Sequence, residues 1–147
     1  MEVSIVIATF GSYKWQLQAQ ERAIPNAKSF GVPVHYVHGN KLHEARNQGL
    51  DQVETEFVCF LDADDTLASD YFEQMSRVDG DLRAPSVHHV YERMTFMPQV
   101  VGLSGVHKHV CVGDCLTDGN WLVVGTVART ELVKKVEIGR ASCRERV

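Results

Sequence analysis

Three short apolar runs, each followed by a stretch with helical spacing, limit what this chain can fold into. Val3-Ser4-Ile5-Val6-Ile7-Ala8, Val34-His35-Tyr36-Val37-His38 and Phe57-Val58-Cys59-Phe60-Leu61 are short and rich in β-branched or aromatic residues. The first and third have the near-continuous apolar character of strands covered on both faces. After the first run, Thr9-Phe10-Gly11-Ser12 is expected to break the strand. Apolar positions then fall at 15, 19, 23, 27 and 30, close to the helical period. Pro25 interrupts that pattern and is expected to kink the helix or start a second one, since an interior proline costs about 3 kcal/mol. Gly31 suits a C-cap. Leu42 to Val53 reads as a helix with Leu42, Ala45, Gly49 or Leu50, and Val53 on one face. Ser69 is expected to N-cap a further helix that turns Phe72 and Met75 inward. Strands alternating with helices in this order predict an α/β domain whose first half is a parallel sheet flanked by helices. Beyond Gly80, Leu82 to Glu92 and Trp121 to Val127 read as strands, and Thr130 as the cap of a helix beginning near Glu131. The stretch from Phe96 to Asn120 gives no firm pattern.

A chain of 147 residues with 44% hydrophobic and 23% charged residues suits one domain with a real core. The net charge of −4 is spread along it, which argues against a nucleic-acid groove. No apolar run approaches the roughly 20 residues that span a bilayer. The N-terminus lacks a basic segment before its apolar run, so no signal peptide is expected and cytoplasmic placement is the default. Cysteines at 59, 111, 115 and 143 form no disulfide framework for a chain of this size. Glu137 to Val147 shows no apolar period and matches the translation of a common sequencing-adapter oligonucleotide. It is expected to be a non-native tail, leaving residues 1–136 as one incomplete domain.

In open parallel sheets, ligands bind outside the carboxyl ends of the strands. That rule puts Thr9-Phe10-Gly11, His38-Gly39-Asn40 and Asp62-Ala63-Asp64-Asp65 along one rim. Three carboxylates on a tight loop repel one another, and a divalent cation bridged to phosphate oxygens would relieve that repulsion. The bland alternative is a solvated turn that caps the next helix. A strand-end position on the ligand rim favours function. His107-x-His109-x-Cys111-x₃-Cys115 has ligand types suited to zinc, but its spacing fits no standard pattern, and alternating histidines also suit an exposed strand. His88-His89 reads as a surface pair.

Val3 to Phe10, then Ala45-Arg46-Asn47-Gln48-Gly49-Leu50, then Phe60-Leu61-Asp62-Ala63-Asp64-Asp65 resemble, in order and spacing, the GT-A-fold glycosyltransferases of the large inverting family. The likeness covers roughly residues 1 to 75 and is similar in particular to short phage-encoded members, where a segment like Gly119-Asn120-Trp121 also occurs. It implies a GT-A-like (Rossmann-like) mostly parallel sheet and transfer of a sugar from a nucleotide-diphospho-sugar to an acceptor, assisted by Mn²⁺ or Mg²⁺. Thr9 and Phe10 would line the base pocket, and Arg46 would help neutralise the diphosphate. In the DXD motif, Asp62 would face the ribose and Asp64 would hold the metal ion. Members commonly carry acidic residues after the second strand to hold the base; here His38 or Asn40 would substitute. The family's catalytic base is an Asp or Glu that removes the acceptor's proton, and it is expected beyond Val136. Asp114 and Asp118 lie upstream of that position. Phe60 to Leu67 also fits the strand-end pattern of haloacid-dehalogenase-type phosphohydrolases, with Asp62 as nucleophile and Asp64 as acid. That family places the motif on its first strand, whereas here it follows the third. A third reading is a nucleotide-sugar-binding module without turnover.

Overall fold

The computed structural model describes residues 1–85, 88–91, 99–102 and 125–136. The calls on His107, His109, Cys111, Cys115, Asp114, Asp118, Gly119 to Trp121 and the tail from Glu137 lie outside these residues. The first strand, β1 (Val3–Phe10), is buried at every residue but its last. It runs two residues further than its apolar run, and the break falls at Gly11, whose φ of 73° lies in the left-handed region that glycine enters without steric cost. It lies between β2 (Val34–Gly39) and β3 (Phe57–Leu61), parallel to both, with Ile5 opposite Val34 on one side and Cys59 on the other.

Two further strands, β4 (Leu82–Arg83) and β7 (Val127–Arg129), complete a sheet of order β2-β1-β3-β7-β4. In it β7 alone runs against the rest, pairing antiparallel with both β3 and β4. A separate antiparallel pair is formed by β5 (His88–Tyr91) and β6 (Gln99–Gly102). The single strand expected over 82–92 is therefore two strands in two sheets. Pro85, which cannot donate to a ladder, lies between them. Of the strand expected over Trp121 to Val127, residues 121–124 lie outside the described residues; β7 begins at Val127, after Gly125 with φ 82°.

The first helical segment has three parts: α1 (Tyr13–Gln18), a π turn (Ala19–Ala23) and α2 (Ile24–Lys28). Ser12 caps α1 by accepting from Lys14 N–H. Ala19, Ala23 and Ala27 are all fully buried against the sheet. A spacing of four exceeds the 3.6-residue period, so in a straight α-helix these alanines would drift by about 40° per step. The wider π turn, closed by Ile24 N–H on Ala19 O, takes up that drift. It also falls just before Pro25, whose ring would strike the carbonyl four residues back in a regular helix. Pro25 thus sits in the first turn of α2, the place where a missing N–H is harmless.

On the opposite face, α3 (Leu42–Asp51) buries Ala45, Gly49 and Leu50. Val6, Leu50, Val53 and Val58 form that side's core, while Ile5, Ile7, Cys59, Leu61, Met75 and the alanines form the larger one. Each fully buried aliphatic side chain contributes about 1.5–3 kcal/mol, so β1, buried on both faces, is the strand on which the fold depends. The helix after β3, α4 (Tyr71–Ser76), buries Tyr71 and Met75. Ser69 does not cap it: residues 69–70 form a turn closed by Tyr71 N–H on Ala68 O, and Asp70 holds the cap position without a side-chain bond. Nor does Thr130 cap α5 (Thr130–Val136). It is the helix's first residue, buried, with Oγ1 unbonded and its N–H donated to Glu56 O.

Candidate functional site

The carboxyl ends of β1 and β3 open into a cleft of about 250 Å³ whose lining includes Thr9, Phe10, Trp15, Leu42, Asp62 and Asp64. Its walls are mostly apolar and its acidic groups stand at one edge. Phe10 is 43% exposed and Trp15 37%, large values for aromatics, and the Lys14 ammonium lies 5.1 Å from the centre of the Trp15 ring. Thr9 itself is buried, and its Oγ1 lies 2.8 Å from Tyr36 Oη and 2.9 Å from His38 Nδ1. These three side chains stand together because the parallel register puts Ile7 opposite Tyr36 and Thr9 opposite His38. His38 therefore belongs to a hydrogen-bonded cluster behind Thr9, at the exposed end of β2.

The acidic loop leaves β3 at Asp62 and turns at once, with Asp65 N–H donating to Asp62 O at 3.1 Å. Arg46 Nη2, from the second turn of α3, donates to Asp62 Oδ1 at 3.0 Å. Both side chains are part exposed, so this pair adds little stability and orients more than it holds. The fork of Arg46 has further N–H groups with which it can meet a second anion. Asp64 is exposed, and its backbone carbonyl accepts from Arg22 Nη1 at 3.2 Å. Further along, Asn26 on α2 grips Leu67 through both main-chain groups, accepting from its N–H at 2.7 Å and donating to its O at 3.0 Å.

Beneath the loop, the buried Tyr71 hydroxyl donates to Gly125 O and lies 3.4 Å from Cys59 Sγ. Burial pushes the Cys59 thiol up to about 12, against the smaller opposing effect of the Tyr71 hydrogen bond. It likewise pushes the Tyr71 phenol well above its usual value, with Cys59 adding to the rise. At the far end of β3 a shallower hollow of about 550 Å³ includes Glu56, Arg129, Thr130 and Lys134. Its cations are already engaged, Arg129 with Asp81 and Glu56, and Lys134 with Val53 O. Hydrogen bonds from Arg129 to Asp81 and then Glu56 raise its guanidinium further above its ordinary value.

The structure thus brings Thr9, Phe10, Asp62 and Asp64 to one cleft, joins Arg46 to its edge through Asp62, and sets His38 behind Thr9. Trp15, Leu42, Tyr36, Arg22 and Asn26 were not singled out in the sequence as site residues. Trp15 alone gave a signal, as an aromatic that opens the first helix next to the rim. Among the described residues no three carboxylate, histidine or cysteine side chains converge to hold a metal by themselves. The donor set, one or two carboxylates beside a cleft, fits a Mg²⁺- or Mn²⁺-type cation that shares its shell with substrate phosphates and water. No helix among the described residues is long and apolar enough to cross a membrane.

Against known proteins, a stretch of 40 residues is 45% identical to the protein described as "Putative glycosyltransferase EpsH" from Bacillus subtilis (strain 168). That stretch covers 27% of this chain and 12% of the length of that relative. The family pattern of glycosyl transferase family 2 matches residues 4–85, which takes in all of β1 but Val3, the cleft, Arg46 and the whole acidic loop. The mostly parallel sheet with helices on both faces, and over half of the sequence, place this chain in glycosyl transferase family 2.

Proposed function

We propose that this chain binds a nucleotide-diphospho-sugar at the carboxyl rim of β1 and β3, as the donor half of a glycosyltransferase. The observation that carries the reading is that Thr9 lines one cleft with Asp62 and Asp64, which lie far along the chain from it, and that the other walls are apolar. Phe10 and Trp15 supply aromatic surface on which a nucleobase can stack, and Leu42 adds apolar wall beside them. Arg46, held by Asp62, lies where a fixed positive charge offsets a diphosphate. Asp64 would supply a carboxylate oxygen to a cation carried in with the phosphates, and Asp62, on the same loop, would face the ribose. When bound, Mn²⁺ or Mg²⁺ neutralises charge on the leaving diphosphate. His38, tied through Nδ1 to Thr9, takes the place of an acidic residue at the end of β2 and bears on which base is accepted.

The phosphohydrolase reading is not supported. The acidic loop follows the third strand in chain order, and the family match covers it. Calorimetry with UDP, GDP, CDP and ADP, each with and without Mn²⁺, tests the proposal. Binding of one nucleotide that Mn²⁺ strengthens and Asp64→Asn weakens is the expected result. Equal binding of all four with no metal effect would sink it. Phosphate release through a trapped aspartyl-phosphate on Asp62 would revive the phosphohydrolase instead. Tight binding with no transfer to any acceptor would leave a binding module.

A further inference from the structure

We infer that Asn26, seconded by Arg22, is the positioning residue of the acidic loop and sets how well the cleft takes up a cation with its nucleotide. This rests on the donor-binding reading above. Residues 62–70 contain neither helix nor strand. Within the loop, the main chain closes one turn at each end, Asp65 N–H on Asp62 O and Tyr71 N–H on Ala68 O. From outside, Arg46 reaches the Asp62 side chain, and the helix of residues 13–28 reaches the loop's main chain at two points. Arg22 reaches Asp64 O at 3.2 Å, and Asn26 pairs with both main-chain groups of Leu67, at 2.7 and 3.0 Å.

The carboxamide of Asn26 carries one donor and one acceptor side by side, as a peptide group does, so it binds Leu67 as a neighbouring strand would. Two bonds to one residue fix both its position and its rotation, which a single bond cannot. The Leu67 side chain is buried at 8% exposure and would keep the loop attached without them. The added bonds therefore act on orientation. They govern where the backbone three residues earlier places Asp64, whose own carbonyl is the second point of the grip. A carboxylate that shares a cation with phosphate oxygens has little tolerance in distance, about 0.2 Å around a metal–oxygen length near 2.1 Å for Mg²⁺. Groups that orient metal ligands from behind matter nearly as much as the ligands.

Two variants grade the grip. Asn26→Leu removes both bonds at similar size, and Asn26→Asp keeps the acceptor for Leu67 N–H while losing the donor to Leu67 O. The probe is whichever of UDP, GDP, CDP and ADP the wild type binds, titrated with Mn²⁺ by calorimetry and by the electron paramagnetic resonance of bound Mn²⁺. In Asn26→Leu the half-saturating Mn²⁺ concentration should rise about tenfold or more, with a smaller rise in Asn26→Asp. Nucleotide affinity in EDTA should stay unchanged in both. A folded Asn26→Leu protein with wild-type Mn²⁺ dependence overturns the inference. So does a loss of metal-free binding in equal proportion, which marks a merely structural role. Should Asn26→Leu not fold, unchanged Mn²⁺ dependence in both Asn26→Asp and Arg22→Ala overturns it equally. A wild-type chain whose nucleotide binding ignores Mn²⁺ removes the donor-binding reading itself, and this inference with it.

Discussion

Replacing Gly49 by alanine measures how closely α3 is pressed onto β1. A Cβ at that position would lie 2.5 Å from Val6 Cγ1, where a relaxed carbon–carbon contact needs about 3.5–4.0 Å. Val6 has little room to yield. It is 1% exposed, and a β-branched side chain is stiff about χ1. The helix must therefore back away from the strand by roughly 1 Å, and overpacking of that kind costs about 1–3 kcal/mol. Against this, alanine exceeds glycine in helix propensity by about 0.8–1.0 kcal/mol. The collision wins, and the expected net loss is about 1–2 kcal/mol. Urea unfolding should show a lower midpoint at unchanged slope. Combining the change with Val6→Ala removes the struck methyl, so the double variant should be more stable than the sum of the two losses, by about 1 kcal/mol. A Gly49→Ala protein as stable as wild type, or strict additivity with Val6→Ala, would refute the close approach. Arg46 rides one turn earlier on the same helix, so nucleotide affinity should fall in Gly49→Ala as well.

Arg46→Met should lower stability by less than about 1 kcal/mol, because its pair with Asp62 is part exposed. Its nucleoside diphosphate affinity, read by calorimetry, should fall about tenfold or more, as expected for loss of charge-assisted hydrogen bonds. Tyr71→Phe leaves the Gly125 carbonyl without its side-chain donor and should cost about 1–3 kcal/mol in chemical denaturation. Cys59, with its thiol raised from 9.0 to about 12, should resist a thiol reagent at pH 8 in the folded chain and react fully in denaturant. Its linkage follows from the same shift. Above pH 9 the unfolded chain sheds a proton that the folded chain keeps, so stability should fall with rising pH from about 9 towards 12. Cys59 alone should contribute a slope approaching about 1.4 kcal/mol per pH unit. The loss between about pH 9 and 10 should vanish in Cys59→Val, while the part above 10 that comes from the raised Tyr71 phenol stays, as followed by denaturation at stepped pH.

Much of the first half was legible because buried parallel strands are read from contiguous apolar runs. The expected third strand, Phe57 to Leu61, coincides with β3. Of the expected face, α3 buries Ala45, Gly49 and Leu50, while it ends at Asp51, short of Val53, and its first residue Leu42 turns to the cleft. The acidic loop was legible for the same reason, since it begins where the third run stops. What failed was local grammar overruled by tertiary contacts. Ser69 and Thr130 are good capping residues by type, yet a turn claimed the first and burial the second. The π turn leaves no mark in composition, and only the four-residue spacing of the buried alanines hints at it. The Arg46–Asp62 pair, the Asn26 grip on Leu67 and the Tyr36–Thr9 bond join separate elements, so no local pattern could foretell them.

The place of β7 in the sheet bears on how the protein is made. Strands β2, β1 and β3 come from the first 61 residues, and can pair as they leave the ribosome in order. The outer side of β3 has to wait for residues 127–129. Until then Phe57, Val58 and Cys59 hold unpaired peptide groups along an apolar edge, the sort of template on which other nascent chains add strands. Closing so long an intervening segment costs only slightly more chain entropy than closing a short one, but it takes time. The hazard therefore lies in the interval rather than in the finished fold. Faster elongation between residues 61 and 129, or a helper that shields β3 meanwhile, should raise soluble yield with no change in the equilibrium stability of the folded chain.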